Sequence, residues 1–223
     1  MRIPLAVGLF ALGSAPLVAQ APAGSAPAAT QSPAAAVPAA QVQRDDIGFS
    51  YSLPSDWEFV LPPTAPKAVL PYPSLASAIK GDACVEVALT AKHGNPASVV
   101  VVTALPFACY GQTMTASDVE NFGEGAAQGM KQTFDISEPV DATYALGTHT
   151  VWIERAKGTA KNHPESPFTF EIACTVLKKG AVCWLTIAAD ATSLQEFEQG
   201  TVSLEGEAPS VLVPATAFVP NKP

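Results

Sequence analysis

The chain has 223 residues, of which 20 are acidic and 12 are lysine or arginine, and its formal net charge at pH 7 is −8. This excess of negative charge opposes binding to nucleic acids and to anionic membranes, because both need basic surface to neutralise phosphates. Every acidic residue, and every basic residue except Arg2, lies at Arg44 or later. The acidity therefore belongs to the folded part of the chain, and we expect no nucleic-acid partner.

Residues 1–21 have the pattern of an export signal. Arg2 gives a positive start, Ile3–Leu12 is apolar, and Ala19-Gln20-Ala21 supplies the small residues of a processing site. Cleavage after Ala19 and cleavage after Ala21 both fit, and an uncleaved signal anchor is the alternative. The apolar stretch is shorter than the roughly 20 residues that a spanning helix needs. We expect export to the periplasm or the extracellular space, without stable membrane insertion after cleavage.

The rest of the chain divides into a linker, one domain and a tail. Residues 22–43 combine prolines with Ala, Ser, Gln and Thr, and they contain too little apolar surface to offset the cost of ordering. They predict a disordered linker. Residues 44–206 are long enough for one α+β domain but not for two, and we expect this domain to be monomeric. Residues 207–223 contain four prolines and predict a C-terminal tail.

The first half of the domain predicts strands. Ile47–Leu53 alternates apolar and polar residues, which is typical of a half-buried strand, and Trp57–Leu61 repeats the alternation. Residues 62–83 contain five prolines and predict a long irregular connection. Val85–Leu89 and Val99–Leu105 then predict a hairpin.

Two helices are predicted in the second half. Ser117 and Glu120 form a candidate capping box that opens the first, and Ser193 and Glu196 form the one that opens the second, which ends at Gly200. Glycines in the first helix either permit close packing against a sheet or make the helix soft, and the sequence leaves both open. Further strands are predicted at 134–138, 142–146, 148–157, 168–176 and 181–189.

The four cysteines predict two disulfides. A two-residue turn at Lys178-Lys179 places Cys174 directly opposite Cys183, whereas a turn shifted by one residue leaves the two sulfurs diagonal. Cys84 and Cys109 lie together at the open end of the other hairpin. We therefore predict the pairs Cys84–Cys109 and Cys174–Cys183, although four cysteines allow three connectivities, and free thiols or a metal site are the alternatives.

One stretch carries a family resemblance. Gly48-Phe49-Ser50-Tyr51-Ser52-Leu53-Pro54, followed by Trp57, resembles the opening "G-F-S-x-x-x-P-x-x-W" common in the PsbP-like superfamily, and the order of elements over residues 46–206 is similar. The resemblance implies an α/β/α sandwich, in which a central antiparallel sheet lies between two or more helices. It implies no activity, because members of this fold are chiefly binding or assembly subunits.

The sequence contains little that is typical of a catalytic or metal-binding site. His93, His149 and His163 each stand alone in the sequence, and no spacing typical of a hydrolase, a zinc site or a calcium loop occurs. The pair Asp45-Asp46 is read as exposed charge rather than as part of a cation site. The sequence thus predicts no catalytic residue, no metal and no cofactor.

Four side chains are candidates for a binding surface. Trp57, Tyr72 and Tyr110 lie at strand ends or in loops, where amphipathic rings often make contacts. Arg155 is the one arginine well inside the domain, so it either holds a carboxylate or phosphate ligand or makes a structural ion pair, and we favour the ion pair.

Two tryptophans need a different explanation. Trp152 and Trp184 fall on the strand faces opposite the main apolar sets, so either a second layer covers them or they form an exposed platform. We favour core packing.

These observations favour an exported, non-enzymatic binding or assembly module for an unknown protein or small-molecule partner, with a contact patch at the sheet edge or the 62–83 connection. The alternatives are a hydrolase-like enzyme with a site assembled from scattered residues, and a carrier of small apolar ligands whose cavity the two tryptophans would line.

Overall fold

The computed structural model describes residues 41–61, 84–95 and 97–213. The predicted signal peptide, all but the end of the predicted linker, the 62–83 connection with Tyr72, and residues 214–223 of the predicted tail lie outside the described residues. Among those described, no helix combines the length and the apolar character needed to cross a membrane.

The described chain is built mainly of strands. The strands are β1 Gln41–Arg44, β2 Phe49–Ser52, β3 Glu58–Leu61, β4 Glu86–His93, β5 Ser98–Pro106, β6 Phe134–Leu146, β7 His149–Ala160, β8 His163–Val176, β9 Gly180–Ala188, β10 Thr201–Leu204 and β11 Ser210–Val211. The helices are α1 Phe107–Tyr110, α2 Val119–Met130 and α3 Ala191–Phe197, and a 3-10 turn at Ala116–Asp118 precedes α2.

These strands form two antiparallel sheets. One has seven strands in the order β3-β4-β5-β9-β8-β7-β6, and the other has four in the order β1-β2-β10-β11. The predicted fold class, an α+β sandwich with helices on both sides of a central sheet, is therefore wrong. The second sheet occupies one side where helices were expected, and the described helices are short.

Each face of the seven-stranded sheet has its own hydrophobic core. The face toward the four-stranded sheet buries Trp184 against Phe49 and Tyr51 of β2, with ring centroids 5.5 and 6.5 Å apart. The opposite face buries Trp152 beneath α2. Both tryptophans are 1 % exposed, so the preference for core packing over an exposed platform is confirmed.

Helix α2 lies close to the sheet because of one glycine. A Cβ atom on Gly123 would overlap the indole ring of Trp152, so only a residue without a side chain fits at this position. Of the two alternatives for these glycines, close helix–sheet packing is confirmed here.

Both predicted capping boxes are wrong in position. The box before α2 joins Thr115 to Asp118, since the 3-10 turn moves the cap upstream. Before α3, Asp190 accepts hydrogen bonds from the backbone N–H and the hydroxyl of Ser193, both at 2.9 Å. Ser193 therefore lies in the first turn of α3, and Asp190 is the residue that caps the helix.

Strand β6 joins two segments that the sequence predicted as separate strands. A β-bulge between Ser137 and Val140 absorbs the proline between them, with Glu138 at a φ of 53°. The described fold also reaches beyond residues 44–206 at both ends, because β1 begins at Gln41 and Leu212 is 2 % exposed in the core.

Candidate functional site

Both predicted disulfides are present. Cys174 and Cys183 are direct partners in the β8–β9 register, and the two-residue turn lies at Lys178-Lys179 as predicted. The second bridge joins Cys84 to Cys109. Two bridges fit an exported protein that matures in an oxidising compartment.

A buried polar cluster surrounds Arg155 on β7. Its Nε donates to Glu171 Oε2 of β8 at 2.6 Å, and its Nη2 donates to Glu198 Oε1, in the segment between α3 and β10. The side chain of Arg155 is 12 % exposed, and those of Glu171 and Glu198 are 2 % and 5 % exposed. One guanidinium thus holds two buried carboxyl groups.

The same guanidinium also contacts the end of the described chain. Arg155 Nη2 lies 3.4 Å from the carbonyl oxygen of Val213, two residues after the end of β11. Since Glu198 lies just before β10, Arg155 contacts the chain on both sides of the β10–β11 hairpin. This hairpin supplies half of the four-stranded sheet.

Burial governs the protonation of this cluster. Desolvation raises the pKa of Glu171 above its ordinary value, although Arg155 and a hydrogen bond with Glu198 favour the charged form. Tyr51 of β2 faces the same carboxyl group, and burial followed by the charge of Glu171 raises the pKa of its phenol. Burial therefore favours the neutral form of Glu171, and its contacts with Arg155 and Glu198 oppose this.

The opposite face of β7 carries a second buried carboxyl group. Glu154 is 8 % exposed, and burial raises its pKa, assisted by Asp141 of β6 and Glu124 of α2 and opposed by Lys131. Glu154 therefore does not pair with its neighbour Arg155. The structural ion pair expected for Arg155 is confirmed, but its partners are Glu171 and Glu198.

Arg44 forms a comparable cluster at the rim. Its guanidinium donates to both carboxylate oxygens of Asp46, at 2.8 and 2.6 Å, and to Glu86 Oε2 at 3.0 Å. Asp45 accepts a hydrogen bond from the amide of Gln43. The structure thus pairs Asp46 with an arginine, and both aspartates are exposed as expected.

The predicted binding residues do not come together. Trp57 is 6 % exposed and stacks on the ring of His93, with centroids 5.7 Å apart. Tyr110 packs against the core beneath α2, on a different part of the sheet. Arg155 is engaged in its buried cluster, and Tyr72 is outside the described residues.

The histidines are also separate. His93 lies at the β4–β5 turn, and His149 lies at the opposite end of the seven-stranded sheet, 3.5 Å from Glu207 Oε1. Within the described residues, no cluster of His, Cys, Asp or Glu has the arrangement of a metal site. The enzyme alternative gains no support from the histidines.

The two tryptophans cannot line one ligand cavity, because they lie on opposite faces of the same sheet. A small apolar cavity of about 10 Å³ lies beneath α2, lined by residues that include Val101, Ala126 and Met130. This volume is at the limit for a single water molecule. The carrier alternative required a cavity lined by both tryptophans, and these two side chains do not line one.

The outer edge of the seven-stranded sheet is the other notable feature. Strand β6 pairs with β7 on one side, and on its other side no strand of the described chain pairs with it. Its outer backbone donors and acceptors thus face away from the sheet. The sequence predicted a contact patch at a sheet edge, without identifying which strand would form it.

Sequence reasoning missed Glu171 and Glu198. Glu171 alternates with the apolar residues of the β8–β9 hairpin, so its position on a strand buried on both faces was the available signal. Glu198 offered none, because only the tertiary fold brings it to Arg155.

No protein-family model matches the chain, and neither a curated protein nor a solved structure does. The resemblance to the PsbP-like superfamily therefore stays a prediction. The described residues define a β-rich, disulfide-bonded protein with two antiparallel sheets, a buried arginine–carboxyl cluster and a long open-edged strand.

Proposed function

We propose that this protein is an exported, non-enzymatic binding or assembly module of the periplasm or cell surface, and that it holds an extended segment of a partner protein along β6. The signal-like N-terminus and the two disulfides support export. The observation that carries the binding proposal is the outer edge of β6.

An edge strand is a template for another strand. Its free N–H and C=O groups pair with an extended peptide, which adds a strand to the sheet. The bulge between Ser137 and Val140, together with Pro139, interrupts this template in the first half of β6. The proposed contact is therefore Val140–Leu146, which has regular pairing with β7 behind it.

Charge favours one kind of partner. Strand β6 contains Asp135, Glu138 and Asp141 and no basic residue. Lys157 of β7 lies 2.9 Å from Glu138 and offsets one of these charges, while Asp141 lies beside the buried Glu154. An extended segment that carries lysine or arginine complements this edge best.

Site-specific photocrosslinking in the producing cell tests the proposal. A benzophenone amino acid replaces Thr143, which is exposed on β6, and the matched control places it at Gln128, which is exposed on α2. We expect a discrete adduct at position 143 and none at position 128. Peptide mapping of the adduct should return an extended, basic segment of another protein.

A charge-reversal variant makes the test specific. Asp141→Lys should strongly reduce the adduct at position 143, because it repels a basic segment. The proposal is contradicted by equal adducts at positions 143 and 128, by an adduct that Asp141→Lys leaves unchanged, or by an adduct with a second copy of this chain.

A further inference from the structure

We propose that Glu171 and Glu198 share one proton in the folded protein, and that this proton fastens α3 and the β10–β11 hairpin to the seven-stranded sheet. The basis is the geometry of the buried cluster, in which a single guanidinium serves two carboxyl groups. We call Arg155, Glu171 and Glu198 the carboxyl latch.

The contact between the two acids requires a proton. Ionised carboxylates only accept hydrogen bonds, so a hydrogen bond between Glu171 and Glu198 needs one of them to be protonated. With one proton, the latch contains one positive and one negative charge. Without it, Arg155 faces two buried negative charges, and burial disfavours the second of them.

Among the described groups that shift the pKa of Glu171, Arg155 is the one cation. Arg155 faces Glu171 from β7, Glu198 faces it from the segment after α3, and Tyr51 faces it from β2. The Tyr51 phenol is neutral over the physiological range, because burial raises its pKa. Loss of the shared proton therefore leaves an excess negative charge in the core.

The structure indicates which contact then opens. Glu171 lies within β8, between β7 and β9, so it cannot leave without breaking the sheet. Glu198 follows a seven-residue helix at the end of the sandwich, and moving it into water breaks fewer contacts. Its departure removes the contact that Arg155 makes at the start of the β10–β11 hairpin.

The direction of the pH dependence follows from the raised pKa of Glu171. The stabilisation is complete below the ordinary pKa of a glutamate, and it is lost as the pH rises through the raised pKa of the latch. The latch is therefore closed in acid and loosens toward neutral and alkaline pH. Because one proton is involved, the closed-to-open ratio falls about tenfold per pH unit in that window.

Hydrogen exchange of the full chain across a pH series tests this proposal. Protection factors remove the intrinsic pH dependence of exchange, and the amides of β8–β9 give an internal reference. In the wild type, we expect protection of β10 to fall with rising pH while that of β8–β9 is retained. Glu198→Gln should remove this pH dependence, whereas the rim control Glu86→Gln should preserve it.

Two results would overturn the proposal. One is wild-type protection of β10 that does not change with pH relative to β8–β9. The other is the same pH dependence in Glu198→Gln as in the wild type. If Glu198→Gln does not fold, the infrared carbonyl band of a protonated acid decides in Glu154→Gln, a variant that removes the other buried acid with a raised pKa. The proposal requires this band to persist above the ordinary glutamate pKa, and its absence refutes the proposal.

Discussion

Two clusters, each of one arginine and two carboxyl groups, differ in how burial affects the pKa values of their acids. Arg44 and Arg155 each bind two carboxyl groups, but the carboxyl groups of Asp46 and Glu86 are 54 % and 29 % exposed, whereas those at Arg155 are almost fully buried. The hydrogen bond from Arg44 lowers the pKa of Asp46, while burial raises the pKa of Glu171 despite Arg155.

The comparison shows that solvent decides the protonation of an ion pair. At the rim, water solvates the carboxylates, and the guanidinium of Arg44 adds only a modest stabilisation to their ionised form. In the core, the desolvation penalty of two carboxylates exceeds the stabilisation that one guanidinium provides. Keeping one carboxyl group protonated therefore has the lower free energy. Asp46 at the rim is therefore favoured in its ionised form, whereas the state proposed for the core cluster is one shared proton.

Removing each arginine should give the largest difference between the clusters. Arg155→Met leaves two carboxyl groups buried without a cation, which we expect to cost about 3–5 kcal/mol of unfolding free energy. Arg44→Met should cost no more than about 1 kcal/mol. Urea denaturation measures both, with the exposed Lys157→Met as a control for the loss of a surface cation. Equal losses at Arg44 and Arg155 would contradict the comparison.

The pH dependence of the rim cluster should have the opposite sign to that of the core. Because the pKa of Asp46 is lowered, its stabilisation is present above the ordinary aspartate pKa and is lost as the pH falls through the lowered value. Asp46→Asn should therefore be less stable than the wild type near neutral pH, by less than about 1 kcal/mol, and equally stable in strong acid. Thermal unfolding over an acid pH series checks this, and a gap that widens in acid would refute it.

Added salt should give the smallest difference between the two clusters in the stability cost of removing the arginine. At about 1 M salt the screening length is near 3 Å, so the exposed contacts of Arg44 weaken while the buried contacts of Arg155 are screened much less. We expect the cost of Arg44→Met to shrink with added salt and that of Arg155→Met to stay nearly constant. A parallel decrease of both costs in denaturation experiments would argue against the burial of the Arg155 cluster.

The sequence predicted the features that depend on local spacing. The alternation in Ile47–Leu53 indicated the β2 strand, and the Lys178-Lys179 turn set the register that pairs Cys174 with Cys183. Both depend on residues close together in the chain, where period and turn length carry the information.

The second sheet could not be predicted in the same way. Strand β1 begins in the segment predicted as a linker, β11 lies in the segment predicted as a tail, and β10 pairs with the distant β2. The candidate site has the same difficulty, since Arg155 and Glu198 are 43 residues apart and meet only after the sheets have formed. The sequence also predicted separate strands at 134–138 and 142–146, where a bulge keeps β6 continuous.

The most direct test of the shared proton is a ¹³C NMR titration of the glutamate carboxyl carbons in the intact protein, assigned with Glu171→Gln and Glu198→Gln. The account predicts that the carboxyl signals of Glu171 and Glu198 titrate as a coupled pair, with at least one step above the ordinary glutamate range. Independent titration of Glu171 and Glu198 at or below the ordinary glutamate pKa would contradict it.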